Sequence, residues 1–162
     1  MRRSTSVKPA PSKTVVAERF EIQDRHGNIR ALLSCDDDDN PSLRLLDATG
    51  QVRVLASLEE DRPRFLLIDS VGLTRLCLIL RQNRPGIEFV DEKGTRRLLL
   101  YLRATDHNSG DIVFMDNHGK PRLAMTISTD GAILIQGEDE LGRLVEPMWF
   151  AKDVAEKSDP EL

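Results

Sequence analysis

The chain has 162 residues, a net charge of −4, 40% hydrophobic and 31% charged side chains. That length suits one domain with a core of its own, and the balance reads as a soluble folded chain rather than a disordered one. No apolar run approaches the twenty or so residues of a membrane span, no signal-peptide core follows Met1, and the acidic balance argues against a nucleic-acid partner.

Residues 1–17 come first. They hold Arg2, Arg3, Lys8 and Lys13 and no acid, with Ser, Thr and Pro but no apolar periodicity. This predicts a disordered basic tail; a partner-binding arm or an organelle-targeting segment is the sharper alternative.

Residues 18–146 form a repeat body. Its ruler is Asp-x-x-Gly: Asp24 with Gly27, Asp47 with Gly50, Asp69 with Gly72, Asp91 with Gly94, Asp116 with Gly119 and Asp139 with Gly142. The first five aspartates are spaced by 23, 22, 22 and 25 residues, and the sixth follows after 23. Three residues past each glycine stands an arginine in five copies: Arg30, Arg53, Arg75, Arg97 and Arg122. Before each turn lie apolar pairs two apart, such as Phe20 with Ile22 and Phe65 with Leu67. After it come runs such as Leu76, Leu78, Leu80 and Leu98, Leu100, Leu102. Spacing of two is strand spacing, and the runs are too short for helices. The fold class is therefore all-β: an antiparallel meander of six hairpins of roughly 22 residues, about twelve strands.

The turn chemistry supports this. Aspartate in the first turn position accepts backbone amides ahead of it, and glycine in the fourth supplies positive φ, which together make a type I turn closed by a bulge. Pro41, Pro63 and Pro85 keep the same period and hold the chain extended between hairpins. A longer loop, residues 104–110, leads into copy five. Copy six is degenerate, with Val145 in the arginine position and Gly137 in its first strand. Residues 147–162 then read as a short capping helix, begun by Pro147 and packing Trp149, Phe150 and Val154 on the open end, followed by an acidic tail.

On these residues the chain resembles the D-x-x-G-x-x-R hairpin repeats that recur in bacterial proteins without an assigned activity. It is also distantly similar to YD (Rhs) repeats, which build β-shells, although the tyrosine of that motif is absent from every copy here. The resemblance covers residues 20–145 and implies a fold rather than an activity.

The functional candidates follow. Each ladder arginine is expected opposite the strand position two before its aspartate, on a partly apolar face, with its charge paired to a turn aspartate or a neighbouring carboxylate. A polyanion-binding ladder is the functional alternative. The four aspartates at 36–39 read as a solvated loop, with a hard-cation site as the alternative. Asp106, Asn108, Gly110 and Asp111 resemble a calcium loop, but the order differs and Asn117 stands where a glutamate belongs. His26 and His118 share one turn position and read as solvated; His107 lies in the long loop. Cys35 and Cys77 lack metal spacing and read as free thiols in a reducing compartment, hence a cytoplasmic protein. No nucleophile, phosphate-loop or zinc-protease motif is present, so neither catalysis nor a cofactor is expected.

One feature points outward. Leu76, Cys77, Leu78, Ile79 and Leu80 are apolar on both faces of their strand, as are Leu98, Leu99, Leu100, Tyr101 and Leu102. A half-solvated sheet alternates, so both faces should be covered, by a second sheet layer or by another chain. Ile79 and Tyr101 are expected on one buried face at a contact between chains. The functional expectation is a non-enzymatic scaffold or protein-interaction module, self-assembling or part of a larger assembly. The alternative is a small-ligand or carbohydrate-binding β-barrel or β-trefoil.

Overall fold

The computed structural model describes residues 14–102, 109–127 and 131–150, and for residues 146–150 the backbone only. Twelve strands form one antiparallel sheet. They are β1 (Arg19–Gln23), β2 (Ile29–Cys35), β3 (Pro41–Leu46), β4 (Val52–Glu59), β5 (Arg62–Ile68), β6 (Thr74–Arg81), β7 (Arg84–Val90), β8 (Arg96–Leu102), β9 (Gly110–Met115), β10 (Pro121–Ile127), β11 (Ile133–Glu138) and β12 (Leu144–Phe150). Their order in the sheet is their order in the chain. The all-β meander read from the repeat is thus the observed architecture.

Every strand touches only its sequence neighbours, so the described residues make a single layer. β1 and β12 are its two free edges. A barrel would pair them and a trefoil would bring hairpins back on one another, so both closed alternatives fall. Of the two covers expected over the middle strands, a second sheet layer is missing among the described residues, because each strand lies beside its chain neighbours and none crosses back over the sheet.

The Asp-x-x-Gly turns all lie along one end of the strands. In each, the aspartate amide donates to the carbonyl four residues on and the glycine amide to the aspartate carbonyl, as in Asp69 N to Leu73 O at 2.9 Å and Gly72 N to Asp69 O at 3.2 Å. The six turn glycines have φ between 73° and 86°, the left-handed region where a β-carbon is strained.

Two expectations are corrected. The helix from Pro147 is not formed: residues 144–150 are β12, with Leu134 opposite Trp149 and Ile133 opposite Phe150. The open edge of β11 takes this segment as a further strand, which satisfies its backbone groups. The rest of that prediction, residues 151–162, lies outside the described residues, as does most of the basic tail; residues 14–17 carry no regular structure.

The second correction concerns the arginines. Ile22 faces Ala31 and Gln23 faces Ile29, so Arg30 faces no residue. It is the extra residue of a β-bulge. Arg53, Arg75, Arg97 and Arg122 are skipped by the register in the same way. A bulge re-aims its side chain, and here it swings the guanidinium away from the apolar row toward the turns.

Candidate functional site: one uncovered apolar face

The turn aspartates and bulge arginines lock the sheet at one end. Asp47 Oδ1 accepts the amides of Thr49 at 2.8 Å and Gln51 at 3.1 Å. Its Oδ2 pairs with Arg53 Nη2 at 2.5 Å. The other four pairs are Arg30 with Asp24 at 3.7 Å, Arg75 with Asp69 at 3.2 Å, Arg97 with Asp91 at 3.3 Å and Arg122 with Asp116 at 2.6 Å. One carboxylate oxygen folds the turn and the other holds the arginine.

Each arginine then reaches on to the next copy. Arg30 Nε donates to Leu46 O at 3.1 Å, Arg75 Nε to Val90 O at 2.8 Å and Arg97 Nε to Met115 O at 3.2 Å. Arg53 and Arg122 donate to the carbonyls of Asp69 and Asp139. Every acceptor is a turn aspartate or the residue before one. The row is a chain of staples between hairpins, and the expected pairing with turn aspartates is what the geometry shows.

The aspartates bear the electrostatic mark of this. The Thr49 hydroxyl, then the Gln51 and Thr49 amides and the Arg53 charge, hold Asp47 at about 2 against an ordinary 3.8, despite opposing desolvation. Asp116 is likewise held at about 2, by the Lys120 amide first, then the His118 amide and Arg122.

Cross-strand partners share a face, which sorts the remaining residues. One face carries an unbroken apolar row: Phe20, Leu33, Leu43, Ala56, Phe65, Leu78, Ile87, Leu100, Ile112, Met125 and Ile135 are successive partners. A second row runs from Ile22 and Ala31 through Leu67, Leu76 and Phe89 to Leu123. A third holds Cys35 with Pro41, Leu58 with Pro63, Leu80 with Pro85 and Ile127 with Ile133. Every large hydrophobic side chain of β1–β11 that is at least 36% exposed stands on this face, Ile22 at 66% being the extreme. Its middle is an open trough of about 800 Å³ floored by Phe65, Leu78, Ile87 and Leu100.

The reverse face is mixed and better shielded. Its buried residues are Leu32, Ser42, Asp111 and Val113. Arg64 pairs with Glu59 at 2.6 Å, and Arg81 and Arg96 both reach Glu88 at 3.0 Å. Burial, then the Glu88 charge, push the Cys77 thiol up.

Ile79 and Tyr101 do share a face, and it is this mixed one: Arg64, Ile79, Gly86, Tyr101 and Asp111 are successive partners. Sequence reasoning singled them out because they break alternation. The other face is apolar in every copy, in the paired residues that flank each turn, and alternation alone does not tell what covers it.

The other candidates are placed plainly. The acidic run at 36–39 is a seventh turn of the same kind: Asp36 Oδ1 accepts the amides of Asp38 at 3.0 Å and Asn40 at 2.9 Å, and Asp39 takes φ 61° where the others have glycine. His26 and His118 sit exposed at turn tips. Residues 106–108, and with them His107 and half of the proposed calcium loop, lie outside the described residues. Cys35 and Cys77 are free and stand on opposite faces, four strands or about 19 Å apart. Among the described residues no three His, Cys, Asp or Glu side chains gather as a metal site, and no helix is long and apolar enough to cross a membrane. Neither a protein-family model nor a curated protein matches the chain.

Proposed function

We propose that this chain is a non-enzymatic scaffold or protein-interaction module that works by burying its apolar face against protein. One observation carries the reading: three apolar rows run across the sheet, and among the described residues no layer lies over them. Monomeric soluble proteins rarely leave contiguous apolar patches beyond a few hundred Å² uncovered. Two free thiols are consistent with work in a reducing compartment such as the cytoplasm.

A photo-crosslinking side chain at position 78, on the apolar face, tests this in cells that make the protein. It is expected to yield adducts with protein, while the same probe at position 101, on the mixed face, yields few. A position-78 probe that captures no protein rejects the reading.

A second reading, small-ligand binding, has the mixed face behind it. There a hollow of about 890 Å³ lies between Leu66, Ile79, Leu99 and Tyr101, rimmed by Arg62 and Arg84. Thermal-shift screening with amphipathic carboxylates tests it, and a melting point unmoved by any of them discards it.

A further inference from the structure

We infer that the protein covering the apolar face is a second copy of this chain, packed face to face. The inference rests on the interaction-module reading above and names its partner.

Area is the first argument. Eleven strands, β1–β11, spaced about 4.8 Å apart span roughly 48 Å, and three apolar rows about 6.8 Å apart, with their side chains, cover roughly 20 Å. Each copy therefore offers a footprint of about 1,000 Å², and two copies together bury about 2,000 Å², the lower end of what obligate homodimers use.

Residues 1–13 and 151–162 are poor material for this cover. They hold Met1, Val7, Val154 and Leu162 as their only large apolar side chains. Those cannot dress a face crossing eleven strands.

The pattern of the face is the third argument. Its repeating unit is one hairpin, two strands or about 9.6 Å wide. A surface with that period is matched along its whole length by another with the same period, which a second copy provides in full. Two sheets so stacked sit about 10 Å apart.

Charge completes the case. The three rows in β1–β11 contain no Asp, Glu, Lys or Arg, so the chain's net −4 does not oppose their contact. The ladder arginines and their aspartates along the rim are paired within each copy. The face has no charge with which to choose a different partner, and its selectivity is its periodicity.

The test uses the full chain. Light scattering at high-micromolar concentration is expected to give a mass of two or more chains. Leu78→Lys with Leu100→Lys should reduce it to one chain, because two ammonium groups would enter a dry contact. Ile79→Lys with Tyr101→Lys, on the reverse of the same two strands, should leave the mass unchanged. Loss of mass in the second pair but not the first overturns the assignment of the face.

A measurement on the unaltered protein guards against unfolding of the variants. Cys35 stands on the apolar face and Cys77 on the other. Thiol labelling of Cys35 should slow by about tenfold or more between dilute and concentrated protein, while that of Cys77 holds its rate. A single-chain mass with concentration-independent Cys35 labelling overturns the inference. If position 78 then still crosslinks to another protein, the interaction-module reading survives without it; if it crosslinks to none, both fall.

Discussion

The two ends of the hairpins solve the same problem, chain reversal, in different ways. At one end six Asp-x-x-Gly turns repeat the same hydrogen bonds with the same two residues. At the other the solutions vary. Residues 36–40 copy the bulged turn with aspartate in the glycine place. Glu60 with Asp61, and Gln82 with Asn83, make two-residue turns in which both residues have φ between 50° and 62°, the type I′ form that twisted hairpins favour. The difference lies in how many tasks each residue has. A turn aspartate folds its own turn and holds an arginine that grips the next. A residue at the opposite end only has to bend, and several side chains tolerate that at modest strain.

The contrast predicts unequal mutational costs. Gly72→Val or Gly94→Val should destabilise by about 1–3 kcal/mol in thermal or urea melts, since a β-branched residue is forced to positive φ. A β-carbon at either position meets nothing within 4 Å, so the cost is in the backbone alone. Gly142→Val carries the same local strain, at φ 76°, but sits in the last hairpin. It should fray β12 and lower the global melt less. Equal losses at all three positions would mean the hairpins unfold as one unit.

Next comes the staple. Arg75→Ala removes a bond to Val90 O as well as the Asp69 pair, and should cost about 1 kcal/mol after allowance for solvent. Arg143→Ala removes only a contact inside its own turn, at 2.7 Å to Asp139, and should cost less than half as much. A double-mutant cycle of Arg75 with Asp69 separates the pair from the reach to the next copy.

At the loose end the sign reverses. Gln82→Asn with Asn83→Gly places favoured residues at both positive-φ sites and should stabilise by about 0.5–1 kcal/mol. A destabilised double variant would show that these side chains do more than turn the chain.

Acid gives the finest comparison. Asp47 and Asp116 have folded values near 2 against 3.8, so folding releases protons from them. Their contribution is complete above about pH 4 and is lost as pH falls through about 2. Melting temperature should therefore drop on that limb. Asp47→Asn with Asp116→Asn should flatten it, having already given up the charge at neutral pH. An unchanged acid limb would place the protons elsewhere.

Strand positions and the turn row were legible in the sequence because both are local: a period of two and a four-residue motif. The seventh turn escaped because Asp39 does the work of a glycine, and the register slip at each arginine because a bulge leaves no mark on spacing. At β12 the sequence misleads through Pro147, since proline is favoured at a helix start but is also tolerated at a sheet edge. The uncovered face was harder for a different reason. Alternation tells which residues share a side, and nothing in it tells how many layers the chain will build. Ile79 and Tyr101 stand out as exceptions to alternation, while Leu78 and Leu100 obey it and carry no mark of what covers them.

The arginine staples also give the molecule a direction. Each reaches from its own turn toward the following copy, so the row of turns has a head and a tail although every rung is built alike. At Val145 the reach stops, since a branched apolar side chain has nothing to offer the next carbonyl. Whole hairpins could be added or removed upstream of that position without disturbing the rule that joins them, much as links enter a chain ahead of its clasp. The number of hairpins, and with it the width of the apolar face, is therefore set separately from the chemistry of any one of them.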